Sequence, residues 1–178
     1  FSACFVMDTE GKVKKKWFGR TIIHSDRRFT YEEAQERIET GEGDFADEIR
    51  LLNEIAYKLK DKRFKNGAVN FETTEVKFQL DEKGKPLAVI PKVRKDAHKM
   101  IEEFMLLANR EVATHIYKWG RGENGKYTFV YRTHDNPDPE KLDGFAKFAA
   151  KFGHKMNVTG NISNSLNKLL NDVEGKPE

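Results

Sequence analysis

The sequence has a single cysteine, Cys4, no run of 18 apolar residues, and no charged and apolar opening of the signal-peptide type. One cysteine excludes an internal disulfide, and the five scattered histidines give no Cys/His spacing suited to zinc. The missing apolar run excludes a transmembrane helix, and the missing signal peptide argues against export. We therefore expect a reducing, cytoplasmic setting and no membrane partner.

Catalytic signatures are also missing. The sequence contains no GxxxxGK[ST], GxGxxG, HExxH or GxSxG, so neither a phosphate-binding glycine loop nor a common hydrolase template is supported. A two-metal phosphodiesterase site needs several converging carboxylates, and the nearest candidate is His134 and Asp135 with Asp138. Asp138 also precedes Pro139 in the pattern of a helix N-cap, which is the interpretation we favour.

What is present is a chain of 178 residues, 38% hydrophobic and 34% charged, without repeats or an interdomain linker. Strand and helix patterns alternate along it. Thr30 followed by Glu33 predicts a capping box, and Asp96 is a plausible N-cap of the longest helix. The predicted elements are a hairpin over 1–24 that includes KKKWFGRTIIHS, helices over 29–40 and 45–64, strands over 68–80 and 86–93, a helix over 96–119, a strand over 127–135, a helix over 139–152 and a short helix over 164–170.

The net charge of +3 conceals two opposite regions. Residues 32–54 hold nine acids and two bases, a charge of −7, so the rest of the chain carries +10. The bases themselves cluster, notably at residues 12–28, 58–65 and 92–99. Such clusters can contact phosphates, or they can form a solvated face and protect exposed strands from pairing edge to edge. Charge alone favours the solvated face.

The candidates for ligand contact are Phe71, Glu102 and Asn109. His98, Glu102 and Asn109 share one stripe of the 97–118 helix, beside its apolar face. The carboxylate and the amide of Glu102 and Asn109 could bind sugar hydroxyls or bases, or they could be satisfied by nearby backbone. Phe71, next to Glu72, could stack on a base, although an aromatic residue in a strand more often belongs to the core.

Several segments resemble one known family in its order and spacing. They are MIEEFMLLANREVATHI followed by VYRTHDNPDPEKL, with GAVNFETTEVKFQL, RKDAHKMIEE, FSACFVMDTEGKV and RFTYEEAQ. Together they resemble the central part of the catalytic (RNB) domain of the ribonuclease R and ribonuclease II family, up to about Gly153. The GAVNFET and EFMLLAN runs are most similar to the ribonuclease R branch.

The resemblance implies an α+β fold, with a mixed, largely antiparallel sheet and helices packed around a channel for single-stranded RNA. It implies that the parent protein is a processive 3′→5′ exoribonuclease that uses Mg²⁺ and releases nucleoside 5′-monophosphates. Phe71 matches the phenylalanine that clamps the terminal bases, and Glu102 matches the glutamate that faces the RNA end.

The aspartate-rich DxDDA-type metal motif and the SPIRRYPD-type stretch with its catalytic arginine are absent from these residues. We therefore expect residues 1–178 to be the middle of one catalytic domain, without flanking cold-shock and S1 domains. Such a segment should bind no Mg²⁺, contain no catalytic residue and be inactive alone. A non-catalytic RNA-binding module and a structural or protein-interaction domain, contacted through the acidic 32–54 segment, remain the alternatives.

Overall fold

The computed structural model describes residues 1–69, 76–91, 93–120 and 128–175. Strand pairing within these residues is antiparallel throughout and forms two separate two-stranded sheets, β1–β2 and β3–β4. With the helices of the same residues this is an α+β fold, which confirms the predicted class. The elements are β1 (Ser2–Met7), β2 (Val13–Gly19), α1 (Tyr31–Thr40), α2 (Ala46–Lys65), β3 (Val76–Leu80), β4 (Pro86–Pro91), α3 (Asp96–Trp119), α4 (Pro139–Lys151) and α5 (Ile162–Val173).

The chain divides into two compact units. Unit 1 comprises Phe1–Lys62 and Val93–Tyr131, and unit 2 comprises Arg63–Lys92 and Arg132–Glu178. Unit 1 therefore holds the first hairpin, α1, α3 and most of α2, while unit 2 holds the second hairpin, α4 and α5.

The first hairpin turns tightly at Asp8. The Asp8 carboxylate accepts the backbone N–H groups of Glu10 (3.1 Å) and Lys12 (2.8 Å), as an Asx turn does. Gly11 has a φ of +70°, and a Cβ there would lie 3.5 Å from the Leu59 side chain. The positive φ therefore favours glycine at this position, and the turn lies against Leu59 of α2.

Helix α1 begins with the predicted capping box. The Thr30 hydroxyl accepts the Glu33 N–H at 3.1 Å, and the Glu33 carboxylate accepts the Thr30 N–H at 2.8 Å. These bonds satisfy backbone donors that a helix start leaves without intrahelical partners. The helix ends at Thr40 because Gly41, at a φ of +73°, takes the left-handed conformation that glycine adopts without strain.

The core of unit 1 lies between α2, α3 and the first hairpin. One cluster contains Ile49, Ala56 and Met100, with Phe29, Ile38 and Phe104 packed on it. A second contains Ile55, Leu59 and Leu107, with Phe5, Met7, Val13 and Phe104 around it. Phe104 belongs to both clusters, so α3 is anchored along its middle against α2 and the hairpin.

Unit 2 is held by fewer buried side chains. Ala149 of α4 and Leu169 of α5 are its buried apolar residues in the described part of the chain. The Asn167 side-chain amide donates to the Ala68 carbonyl at 2.8 Å and ties α5 to the backbone that follows α2. The Asp138 carboxylate accepts the N–H groups of Glu140 (2.9 Å) and Lys141 (3.4 Å), so it caps α4 as predicted.

Two predicted strands are shorter or missing. β2 ends at Gly19 and does not include Ile22 and Ile23, whose side chains are almost fully exposed. The pairing of β2 with β1 extends as far as Gly19, opposite Ser2, and Ile22 and Ile23 lie beyond it. The sequence predicts residues 128–135 as part of a strand, but they form none and pair with no described strand.

Two helix termini also differ from prediction. Asp96 is the first helical residue of α3 and not its N-cap, which is Lys95. The Asp96 carboxylate instead accepts a hydrogen bond from the Tyr57 hydroxyl at 2.7 Å. α5 extends over Ile162–Val173, beyond the predicted seven residues, because Asn161 caps its start by accepting the Asn164 N–H at 3.0 Å.

Candidate functional site

Two of the three predicted RNA-contacting residues lie on α3 in unit 1. Glu102 is partly buried and Asn109 is exposed. Phe71 lies outside the described residues. The described part of the candidate site is therefore the α3 surface around Glu102 in unit 1.

The stripe that contains these residues runs along α3 and does not converge on one point. His98 and Asn109 are eleven residues apart, and at 1.5 Å per residue this places them about 16 Å apart along the axis. Glu102 lies between them. A helix face of that length fits an extended ligand that passes along it better than a small molecule in one pocket.

The adjacent glutamates Glu102 and Glu103 have different environments. Glu102 forms an ion pair with Arg94 in the segment that leads into α3. Both of those side chains are 39% exposed, so the pair lies at the surface. Glu103 is 95% buried and faces the side of α3 where Tyr57 and Lys60 of α2 lie. The structure therefore leaves Glu102 as the member of the pair that a ligand can reach.

The start of α3 is capped from a different helix. The Lys95 N-cap provides no side-chain hydrogen bond of its own to this terminus. Gln35 of α1, which is 5% exposed, accepts the Ala97 N–H at 2.9 Å. Ala97 is fully buried, and its N–H belongs to the first helical turn, where no intrahelical acceptor exists. Gln35 thereby fixes the position of the α3 terminus that carries His98 and Glu102.

His98 and Tyr31 form the aromatic part of this end of α3. Their rings are stacked, with centroids 4.1 Å apart and planes inclined by 11°. His98 Nδ1 also accepts the Lys95 N–H at 3.4 Å. An open groove of about 810 Å³ adjoins Tyr31, and its walls include Ala97, Met100 and Ile101. An aromatic ring beside a mostly apolar groove can receive the face of a planar ring such as a nucleobase.

A second polar contact fixes α3 against α2. The Tyr57 hydroxyl donates to Asp96, and this bond to a carboxylate, together with partial burial and the nearby negative charge, raises the pKa of Tyr57 above its usual value. Tyr57 therefore stays protonated well above neutral pH and remains a donor. The start of α3 is thus held by α1 through Gln35 and by α2 through Tyr57.

The described residues do not provide a metal site. Nowhere in them do three or more His, Cys, Asp or Glu side chains come together in an arrangement that could hold a metal ion. Asp138, the sequence candidate, is engaged as the α4 cap. The donor set that a family magnesium ion would need is therefore not present in the described part of this chain.

Sequence reasoning did not single out Arg94 and Tyr31 as site residues. Arg94 was grouped only with a basic cluster, although its place in RKDAHKMIEE, eight residues before Glu102, is a usable signal. Tyr31 directly follows the capping Thr30 and looked like an ordinary first helical residue. Its stacking on His98 depends on the contact between α1 and α3, which no local pattern encodes.

All of residues 1–178 match the family model described as the RNB domain. The chain belongs to the RNB domain family. Its curated relatives include ribonuclease R 1 of Lactococcus lactis, 32% identical over 184 residues, with 99% of this chain and 22% of the relative covered. DIS3-like exonuclease 2 of Schizosaccharomyces pombe is 39% identical over 164 residues, covering 83% of this chain and 17% of that protein.

One relative is named as inactive. The inactive exonuclease DIS3L2 of Arabidopsis thaliana is 32% identical over 193 residues, which covers 98% of this RNB chain and 18% of that protein. The chain spans about a fifth of the length of the curated relatives it matches. The relatives of this RNB chain thus include proteins named as exonucleases and a protein named as an inactive exonuclease.

The fold is similar to that of solved RNase R structures. Mycoplasma genitalium RNase R in complex with ribose methylated single-stranded RNA matches with a TM-score of 0.82 at 21% identity, covering 97% of this chain and 27% of that one. The same enzyme in complex with double-stranded RNA matches with a TM-score of 0.81 at 22% identity, covering 97% and 31%. This likeness shows that the RNB chain has the corresponding fold. Among the described residues, no helix combines the length and apolar character needed to span a bilayer.

Proposed function

We propose that this chain is an internal part of the catalytic domain of a cytoplasmic 3′→5′ exoribonuclease, and that it forms part of the wall of a channel for single-stranded RNA. The match of the RNB family model to the whole chain carries this proposal. In the proposed enzyme RNA is degraded with Mg²⁺ to nucleoside 5′-monophosphates. The metal would be held by residues other than those described, since their donor set does not fit it.

The α3 surface supports a role in holding RNA. Glu102 is accessible and its carboxylate can accept a hydrogen bond from a ribose 2′-hydroxyl, the group that distinguishes RNA from DNA. A lone carboxylate would repel the RNA phosphates, but the ion pair with Arg94 offsets the charge of Glu102. Asn109, farther along α3, can both donate and accept hydrogen bonds. These two residues and Phe71 are the RNA-contacting residues that we propose.

The inactive relative favours a second candidate function. A protein that retains this segment and is named as an inactive exonuclease is compatible with a non-catalytic RNA-binding module. The α3 surface serves both functions equally, because binding RNA needs no metal ligands.

Binding and degradation assays on the 178-residue chain test the proposal. Fluorescent oligo(A) should bind in a salt-sensitive manner, and Phe71→Ala should weaken binding by about 5- to 150-fold, since stacking on one base contributes about 1–3 kcal/mol. Phe148→Ala is the matched control, because Phe148 is an exposed aromatic residue of α4 in unit 2. Equal effects of the two variants would contradict a specific role for Phe71.

The degradation assay addresses the metal. With 5′-labelled single-stranded RNA and Mg²⁺, the chain alone should give no shortening. EDTA-sensitive shortening from the 3′ end would contradict our placement of the metal site outside these residues. A chain that binds no RNA at all would contradict both the channel-wall role and the RNA-binding module.

A further inference from the structure

A basic concavity lies on unit 1 between β2, the end of α2 and the middle of α3. Its volume is about 260 Å³. The charged residues that line it are six bases and the single acid Glu111, a net charge of +5. The six bases are Lys12, Lys14, Lys15, Lys16, Lys62 and Arg110.

Only part of this positive charge is neutralised within the protein. Lys14 pairs with Asp8 at 2.8 Å, and Lys16 pairs with Glu111 at 2.8 Å. Arg110 lies 3.5 Å from the same Glu111 carboxylate. Lys12, Lys15 and Lys62 are exposed and form no ion pair with any residue that the structure describes. Three cations thus remain available to an external anion.

The elements around the concavity pack on the core of unit 1. Val13 of β2 packs on the core cluster of Ile55, Leu59 and Leu107, which joins the hairpin to α2 and α3. Lys16 lies on the core-facing side of the hairpin, where it pairs opposite Phe5, and it therefore reaches Glu111 across to α3. Lys15 and Lys62 are consequently carried by the packed elements β2 and α2, and Lys12 lies in the turn before β2, where its backbone N–H donates to the Asp8 carboxylate at 2.8 Å.

We infer that this basic concavity binds the phosphodiester backbone of single-stranded RNA, as a contact additional to the Glu102 and Asn109 surface of α3. The inference rests on the proposed RNA function for the choice of polymer. Clustered lysines without ion-pair partners are suited to phosphate, because each phosphate they neutralise releases condensed counterions. Phosphate contacts carry no base information, so this surface contributes affinity and position along the strand without sequence preference.

The salt dependence of binding gives a quantitative test. Each neutralised phosphate of a single strand contributes about −0.7 to the slope of log K against log salt, so three lysines contribute about −2. The triple variant K12Q/K15Q/K62Q should lose that part of the slope. Between 50 and 200 mM salt, the unmodified chain should therefore lose about 20-fold more affinity for fluorescent oligo(A) than the variant does.

Two control variants separate the surface from general charge effects. K12R/K15R/K62R keeps the charge and should keep the slope. K83Q/K85Q/K141Q removes three exposed lysines from unit 2 and should leave the slope within experimental error. All substituted side chains are exposed, so the circular dichroism spectra should agree. A single-stranded DNA of the same sequence should show the same change in slope as the RNA, because the phosphates are common to both.

Three outcomes would overturn the inference. They are an unchanged slope in K12Q/K15Q/K62Q, an equal fall in the unit 2 control, and binding to phosphatidylserine vesicles in place of RNA. Failure of the proposed function gives a different result, because the unmodified chain would then bind no oligo(A) at all. RNA binding that falls with Phe71→Ala but keeps its salt slope in K12Q/K15Q/K62Q would refute this inference alone.

Discussion

The hydrogen bond from Ala97 to Gln35 allows a test of how unit 1 positions the candidate site. Gln35→Met keeps the length and approximate volume of the side chain but removes the acceptor. The Ala97 N–H, which lies in a fully buried residue, would then have no partner. A buried donor left without an acceptor costs about 1–3 kcal/mol, and a volume-conserving change adds less than about 1.5 kcal/mol.

Gln35→Met should therefore lower the free energy of unfolding of unit 1 by about 1–4.5 kcal/mol, out of roughly 5–15 kcal/mol for a typical domain. Urea denaturation followed by circular dichroism measures the loss. Because the chain divides into two compact units, amide hydrogen exchange in α3 gives unit 1 its own measurement. The Ala97 amide should lose its protection before the middle of α3 does.

Glu39→Ala is the control, because it removes the exposed acceptor of the other Gln35 hydrogen bond, at 2.9 Å, together with a surface ion pair to Lys95, and leaves the acceptor of the Ala97 N–H in place. An exposed change of this kind should cost no more than about 0.5 kcal/mol. If Gln35→Met cost no more than Glu39→Ala and the Ala97 amide kept its protection, the assignment of Gln35 as the cap of α3 would be wrong.

Two further predictions concern unit 1. Thr30→Ala removes the hydroxyl of the α1 capping box and should cost about 1 kcal/mol in urea denaturation, while Thr30→Ser should cost little; equal losses would argue against the cap. The hydrogen bond from Lys16 holds the pKa of Glu111 below its usual value, so this pair stabilises the fold above the unfolded-state pKa of about 4.3 and loses that effect as pH falls through the lower folded-state pKa. Glu111→Gln should therefore reduce stability by up to about 1 kcal/mol at neutral pH and by progressively less in acid, and a pH-independent loss would contradict the ion pair.

The sequence predicts elements well where the signal is local. Thr30 and Glu33 identify the start of α1, and Asp138 with Pro139 identifies the start of α4, because capping depends on residues within one turn. Prediction fails where the outcome depends on a distant partner. Ile22 and Ile23 have strong strand propensity, but no described strand pairs with them, and propensity alone does not form a ladder.

The candidate site shows the same division. Helical spacing correctly placed Glu102 and Asn109 on α3, and the distinction between accessible Glu102 and buried Glu103 follows from which side of α3 packs on α2. The pairing of Glu102 with Arg94 and the stacking of Tyr31 on His98 depend on tertiary contacts. The residues that hold the site in place, Gln35 above all, gave no signal because a glutamine on an amphipathic helix is usually solvated.

The ion pairs of unit 1 help to decide between RNA binding and a structural or protein-contact role, which the composition left open. Four of the nine acids in residues 32–54 pair with bases of unit 1, and these are Glu33, Glu36, Glu39 and Asp44. Three more lie in the first turns of α1 and α2, where a negative charge interacts favourably with the helix dipole. Much of the acidic segment therefore stabilises the fold and is a poor candidate for a dedicated protein-contact surface. The lysines of the basic concavity show the opposite pattern, since three of them have no ion-pair partner among the described residues. Clustered charge without internal partners favours an anionic ligand, which makes the proposed RNA binding a better explanation of this surface than a purely structural role.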